Sequence, residues 1–364
     1  MTRESQTNAA AEPFRASCLR WLSLSILVVI DSALALCMRF TRLPEKHGGT
    51  KASEQYSIPT AVCCVELLKL LVSTILASLD YSPAELCRMF LSRESAKMLV
   101  PALMYSLQNN LHYVAISYLE VWVFQVLNQF KMITTALFSV LLLQRVFQAR
   151  QWGGIALCAL GAAVVQCGDV ALSAPGQAHA SAWLGFGAVM ATSLTSGFTA
   201  AYTELVFKTS PSLWVRNMQL ATWSLCVILV GMSITGLHGI QQRGFFFGWN
   251  WLVVTTVTLQ ALGGVIVATV AKYADNVAKG FSSAISIVLT CIVSRFLFDW
   301  KPSAAFAVGS TSVICSICLY AKRPQDAQNS MPHAYAAVST EVTATELGKA
   351  EEPPARVREA TNES

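Results

Sequence analysis

Two lysines at corresponding places in the halves of the chain, Lys131 and Lys279, are the residues best suited to chemistry. Each opens a long apolar segment, followed by a short polar link and a segment rich in small residues. A cation at membrane depth costs about 2.5 to 3.5 kcal/mol unless it is satisfied, so the pattern predicts an anion site built from two similar units. Asp275, near helical spacing from Lys272 and Lys279, can neutralise one of them and leave the other free. For Lys279, and more so for Lys272, the alternative is that the lysine only snorkels to the cytosolic edge of the membrane.

Three further charges lie inside apolar segments, where each needs a partner or a purpose. Asp31 lies in the first such segment. Glu66 and Lys69 are three residues apart in the second, so they share a helical face and can pair. The pair is either a structural ion pair or part of a site, since Glu66 need not occupy all three ammonium donors of Lys69.

Amide side chains accompany these charges in the first half of the chain. Asn109 and Asn110 are adjacent in the third apolar segment, so they face different directions and at least one is expected to face the interior. Gln125 and Asn128 precede Lys131 at helical spacing and share its face. Such amides suit a nucleobase or a ribose, and bonding between helices explains them nearly as well.

A diphosphate would account for the surplus of cations. Its charge of about −2 would be offset by Lys131 and Lys279, while amides read a base and a sugar. Gly263 and Gly264 would let a flat base lie against bare backbone, although close helix packing explains paired glycines equally well. Catalysis needs a nucleophile with its base or a pair of carboxylates, and the short links contain neither.

The elements that hold these residues follow from composition. Hydrophobic residues make up 54% of the 364 residues, charged residues only 13%, and the mean hydropathy is +0.49, so the sequence predicts an all-α integral membrane protein. Windows of about 20 apolar residues indicate roughly ten transmembrane helices. Their predicted positions are 21–40, 56–79, 98–117, 121–143, 151–168, 181–207, 213–236, 249–271, 280–298 and 303–321.

Five plus five helices fit two inverted repeats with a substrate site between them. The sequence thus predicts a cytosolic N-terminal segment at 1–20, a ten-helix transporter domain at 21–321 and a disordered cytosolic tail at 322–364. The excess of Lys and Arg places both termini in the cytosol, so the net charge of +5 reflects topology and not nucleic-acid binding. The histidines and the mostly intramembrane cysteines form no spaced cluster, so no metal and no cofactor is predicted.

Four motifs in fixed order resemble the Golgi nucleotide-sugar transporters. They are LQNN at 107–110, QVLNQFKMITTALFSV at 125–140, WVRNMQ at 214–219 and KYADNVAKGF at 272–281. The most similar branch carries UDP-galactose, UDP-N-acetylglucosamine and CMP-sialic acid, within the drug/metabolite transporter superfamily. The resemblance implies ten helices in two inverted repeats, a multi-pass Golgi membrane protein, and exchange of a cytosolic nucleotide sugar for a lumenal nucleoside monophosphate. It leaves a homodimer open.

The resemblance also implies roles for matching residues. The nucleoside would be bound by amides: Asn109, Asn110 and Asn217. Lys131 and Lys279 would bind phosphate, and Lys69 would face the sugar side of the cavity.

Three positions depart from the family pattern. Phe124 and Asn128 replace two tyrosines of a common family motif, and Ala221 stands where some sialic acid carriers have tyrosine. The residues of the motifs at 125–140 and 272–281 are more similar to those of the UDP-sugar members, which favours UDP-galactose, UDP-N-acetylglucosamine, or both as substrates. The alternatives are a CMP-sialic acid transporter and a small-metabolite or drug exporter of the same fold.

Overall fold

The computed structural model of the chain describes residues 3–41, 56–119, 121–170, 182–210, 212–235, 244–297 and 304–321, and these are helical apart from turns and short links. The predicted disordered tail, 322–364, lies outside the described residues. The helices are α1 (Arg3–Thr41), α2 (Ile58–Ser78), α3 (Pro83–Phe90), α4 (Leu99–Tyr118), α5 (Val121–Asn128), α6 (Phe130–Leu143), α7 (Ala149–Val170), α8 (Ala182–Thr209), α9 (Leu213–Thr235), α10 (Trp251–Tyr273), α11 (Asn276–Leu297) and α12 (Ala304–Ala321), with a 3-10 helix at Arg93–Met98.

The prediction of an all-α membrane protein is confirmed. Among the described residues, six helices are long and apolar enough to cross a membrane: α1, α2, α8, α9, α10 and α11. Fewer than half of the residues in each of these apolar segments are buried inside the protein, which suits contact with lipid acyl chains. Helices α6, α7 and α12 are apolar as well, although shorter.

The helix boundaries differ from the predicted ones in three places. Helix α1 begins at Arg3, so it runs through the segment predicted as a polar N-terminus. The predicted span 121–143 is divided into α5 and α6 at Gln129. Between α2 and α4 the chain forms α3, which starts with a capping box between Ser82 and Glu85. Hydropathy windows detect apolar length, and they do not detect breaks or short amphipathic helices.

Helix pairing has the symmetry expected of two five-span units, where α5 and α6 together form the fourth span. Helix α8 packs against α4 and α6 in the same way that α1 packs against α10 and α11. The pairs α2 with α10 and α4 with α9 also correspond. Helices α2 and α9, and α7 and α12, occupy equivalent places in the two units and pack against each other. A unit with an odd number of spans is inverted when it is repeated, which is a common transporter plan.

The close crossing of α7 and α12 depends on two glycines. A Cβ on Gly161 would lie 2.9 Å from the carbonyl oxygen of Gly309, and a Cβ on Gly309 would lie 2.7 Å from the carbonyl oxygen of Gly161. Small residues of this kind let helix backbones approach in a membrane. The two contacts mirror one another across the two units.

Candidate functional site

Lys131 of α6 and Lys279 of α11, one from each unit, line the same cavity of about 170 Å³, named here the lysine cavity. Both side chains are half-buried. The remaining polar lining comes from α6, α8 and α11 and from the turn before α6: Gln129, Thr135, Ser196, Asn276 and Ser283. The cavity therefore combines two cations with hydroxyl and amide groups, which is a suitable set for an anion with several oxygens.

The α5–α6 break and the threonines after it fix the position of Lys131. The amide of Met132 donates to the carbonyl of Gln129 at 3.1 Å, which forms a tight turn at the start of α6. The hydroxyl of Thr134 lies 3.0 Å from the Lys131 carbonyl and donates at 2.6 Å to the carbonyl of Ser193 on α8. Gly197 permits this approach, since a Cβ there would lie 2.6 Å from Thr134. Lys131 is thus held on a rigid α6–α8 contact.

The first turn of α11 positions Lys279 in a similar way. The Asp275 carboxylate accepts from the amide of Ala278 at 2.6 Å, and this caps the helix that follows the bend after α10. The amide of Asn276 donates to Glu204 Oε2 at 2.9 Å, which ties the same turn to α8. Lys279 follows one turn later, at the cavity wall.

The electrostatics of the lysine cavity are unbalanced. Within the described residues, neither the Lys131 nor the Lys279 ammonium group has a hydrogen bond or an ion pair. Asp31 of α1 is the acid within electrostatic range of both lysines, and it accepts a long hydrogen bond of 3.4 Å from Ser283 Oγ. The cavity thus has donors and positive charge left over for a ligand.

A second cavity, of about 320 Å³, collects four of the eight other predicted residues, and it is named here the amide cavity. Helices α2, α4, α8, α9 and α10 form its walls. Its lining includes Lys69, Asn109, Asn217 and Gly264, together with Tyr105. Residues far apart in the sequence and from both units therefore meet in one space.

Lys69 is paired with Glu66, as its spacing predicts. The ammonium group donates to both carboxylate oxygens at 2.8 Å. Gly264 makes room for the lysine stem, because a Cβ there would lie 2.8 Å from Lys69 Cδ. Gly263 instead packs against α1, where a Cβ would lie 3.3 Å from a methyl group of Ile30. Of the two glycines, Gly264 is the one that lines the amide cavity.

The asparagines occupy three different environments. Asn217 is only 1% exposed and donates from Nδ2 to Ser73 Oγ at 2.7 Å, across the α2–α9 contact. Asn109 lines the amide cavity, whereas Asn110 donates to the Ser106 carbonyl of its own helix at 2.9 Å. Of the two adjacent asparagines, therefore, Asn109 reaches the cavity and Asn110 bonds to the helix backbone.

The helix break changes the polar stripe that precedes Lys131. Asn128 lies beside the imidazole of His112, while Gln129, its neighbour, enters the lysine cavity. Gln125 lies in α5, and its side chain is outside the described part of the structure. Uninterrupted helical spacing predicts that Asn128 and Lys131 share a face, and the turn at Gln129 interrupts that spacing.

A buried charge network next to the lysine cavity is absent from the sequence-based prediction. Glu204 of α8 is 0% exposed, forms a salt bridge with Arg145, and accepts from Lys208 Nζ at 2.6 Å. Gln144, at φ 52°, ends α6 in a left-handed conformation immediately before Arg145. The spacing of Glu204 and Lys208, four residues apart, is the one local signal of this network.

Asp275 also belongs to this network. Its carboxylate lies 3.5 Å from Arg145 and 3.8 Å from Arg20, so these arginines, and not Lys279, are its ion partners. Burial opposes ionisation of Asp275, but the charge of Arg145 and the amide of Ala278 outweigh it and hold the pKa of this carboxyl below its usual range. Lys279 is thereby left without the carboxylate that its spacing suggested.

Two repeated units of five spans, with polar cavities walled by helices from both units, have the architecture of a membrane transporter. The family model described as "Nucleotide-sugar transporter" matches residues 15–321. The chain belongs to this family, which confirms the resemblance seen in its motifs, and it is a transporter and not an enzyme.

Curated relatives cover most of the chain. The human UDP-galactose translocator is 37% identical over 343 residues, which cover 91% of this chain and 85% of the translocator. The human UDP-N-acetylglucosamine transporter is 36% identical, covering 85% of this chain and 98% of that protein. The UDP-galactose transporter of Schizosaccharomyces pombe is 38% identical, covering 84% and 88%. One solved crystal structure has the same fold, with a TM-score of 0.60, 13% identity, and coverage of 83% of this chain and 96% of that chain.

Proposed function

We propose that this transporter exchanges a cytosolic UDP-sugar, UDP-galactose or UDP-N-acetylglucosamine or both, for lumenal UMP by alternating access. The relatives named above are UDP-galactose and UDP-N-acetylglucosamine carriers, which supports uridine over cytidine nucleotides. The proposed location of the protein is the Golgi membrane. Both termini are assigned to the cytosol, because that orientation puts the excess of Lys and Arg on the cytosolic side.

The observation that carries the proposal is the pair of lysines in the lysine cavity. Lys131 and Lys279 come from the two units. Among the described residues, neither ammonium group forms a salt bridge. A diphosphate of about −2 supplies both charge and acceptor oxygens. We assign phosphate binding to these two lysines.

The nucleoside and the sugar are assigned to the amide cavity and the region beside it. Asn109 and Asn217 offer amide groups at its wall, and Lys69 offers an ammonium group held by Glu66. In this assignment the asparagines read the uridine and Lys69 faces the sugar. The predicted contributions of Asn110, Gln125, Asn128 and Gly263 stay predictions.

Exchange follows from the cost of the empty site. Two cations without partners are expensive within a membrane, so the protein changes sides more readily once an anion has neutralised them. The ligand of the return step is then UMP, which shares the uridine and phosphate of the substrate. The homodimer and the contact with membrane lipid stay predictions.

Counterflow tests the proposal directly. Purified protein is reconstituted in liposomes loaded with UMP, CMP, GMP or buffer, and uptake is followed for labelled UDP-galactose, UDP-N-acetylglucosamine, CMP-sialic acid and GDP-mannose. We expect fast uptake of one or both UDP-sugars into UMP-loaded vesicles and slow uptake into empty ones. Equal rates in loaded and empty vesicles, or a preference for CMP-sialic acid with CMP inside, would overturn the proposal.

A further inference from the structure

Asp31 is an acidic residue of α1 that lies beside the lysine cavity and reaches it through Ser283. Its carboxylate accepts from Ser283 Oγ at 3.4 Å, and Ser283 lines the cavity one helical turn after Lys279. Asp31 lies within electrostatic range of Lys279 and of Lys131. No other acid in the described part of the chain interacts with both of these lysines.

Helix α1 is held in this position by its own contacts. The hydroxyl of Ser32 bonds to the carbonyl of Ser286 on α11 at 3.1 Å, next to the Asp31–Ser283 contact. Ser32 is 4% exposed, and Leu27 is packed among residues of α10 and α11. Asp31 is thus a fixed charge at the cavity and not a side chain on a free helix.

The three charges leave a net formal charge of +1 in the empty cavity: two lysines and one carboxylate. Free UDP carries about −3 near neutral pH, because its terminal phosphate ionises a second time with a pKa of about 6. A sugar on that phosphate removes one ionisable oxygen, so a UDP-sugar carries about −2, as UMP does. The Asp31 carboxylate therefore repels UDP more strongly than it repels a UDP-sugar or UMP, and so reduces the advantage that the two lysines give to the more highly charged ligand.

We propose that Asp31 tunes specificity by ligand charge: its carboxylate lowers the affinity for free UDP more than it lowers the affinities for UDP-sugars and UMP. The inference rests on the proposed assignment of phosphate to Lys131 and Lys279. Asp31 does not touch the sugar or the base in this scheme. It acts through the field that the phosphates experience, so its effect scales with the charge of the ligand.

The test compares affinities for UMP, UDP and UDP-galactose, measured with the purified full chain by competition against labelled UMP in buffer free of divalent cations. In Asp31→Asn all three ligands should bind more tightly, and the ratio of UDP affinity to UDP-galactose affinity should rise roughly tenfold. Asp31→Ser, a second variant without the charge, should raise the same ratio, while Asp31→Glu should keep it near the wild-type value.

Asp80→Asn is the matched control, because it removes one carboxylate from an exposed turn after α2. Its affinity ratio should equal that of the wild type. The inference fails if removing the Asp31 charge in Asp31→Asn and Asp31→Ser changes all three affinities by the same factor. If the wild type binds none of the three uridine nucleotides, the proposed function itself fails, and that outcome is distinct from an unchanged ratio.

Discussion

Gly264 of α10 offers a single-residue test of the amide cavity. A Cβ at this position would lie 2.8 Å from Cδ and 3.0 Å from Cε of Lys69. Carbon atoms in contact prefer about 3.5 to 4.0 Å, so Gly264→Ala must displace the lysine stem by roughly 1 Å. The displacement pulls the ammonium group away from Glu66, whose two oxygens both lie at 2.8 Å.

The expected cost can be bounded. The side chains of Lys69 and Glu66 are 12% and 11% exposed, so little water is available to replace the lost contact. Complete loss of one partner of a buried pair costs about 3 to 5 kcal/mol, but a displaced lysine keeps part of the attraction. Alanine in a helix recovers about 0.5 to 1 kcal/mol relative to glycine. We expect Gly264→Ala to lower the free energy of unfolding by about 1 to 2 kcal/mol.

The assay combines thermal unfolding in detergent with half-saturating concentrations for UDP-galactose and UMP. Because Lys69 is assigned to the sugar side, Gly264→Ala should weaken UDP-galactose binding more than UMP binding. Gly187→Ala in α8 is the matched control, since an added Cβ there meets no atom within 4 Å. It should leave the half-saturating concentrations of both ligands unchanged. Wild-type stability together with wild-type UDP-galactose affinity in Gly264→Ala would refute the reasoning.

Three further predictions concern stability. Gly161→Ala should lower the melting temperature by pushing α7 away from α12, because its Cβ would lie 2.9 Å from the carbonyl oxygen of Gly309. An unchanged melting curve would contradict that packing. Glu204→Gln should cost about 3 to 5 kcal/mol in chemical unfolding, since it leaves Arg145 short of a counter-charge in a buried setting, and a loss below about 1 kcal/mol would argue against the network. Asp275 should stabilise the folded protein fully at pH values above its unfolded pKa of about 3.9. This stabilisation is lost as the pH falls through the lower pKa of the folded state. Thermal melts at graded acid pH should therefore decline less steeply in Asp275→Asn than in the wild type.

The spans and the two lysines were predictable because they depend on local properties. Apolar length gives the spans, and the repeat places Lys131 and Lys279 at equivalent positions of two units that meet at a central cavity. The spacing of Glu66 and Lys69 gives their pair for the same local reason, since residues three apart share a helical face.

The contacts between distant helices could not be predicted in this way. Hydropathy does not indicate which helix faces which, so it does not place Ser73 beside Asn217 or Arg145 beside Asp275. The break at Gln129 has no Gly or Pro to mark it, and it moves Gln129 into the cavity in place of Asn128. Asp31 was visible as an intramembrane acid, but its relation to the lysines depends on how α1 packs against α11.

The measurement that tests the central claim most directly is the UMP-induced shift in melting temperature of the wild type, Lys131→Gln and Lys279→Gln. Ligand that binds only the folded state raises the melting temperature by mass action. UMP should stabilise the wild type and Lys97→Gln, a control that removes a lysine 52% exposed outside the cavities, and it should stabilise neither cavity variant. Both cavity variants should melt near the wild-type temperature without ligand, because each loses a cation that has no ion pair among the described residues. A normal UMP shift in both cavity variants would remove the lysines from the binding site and contradict the account.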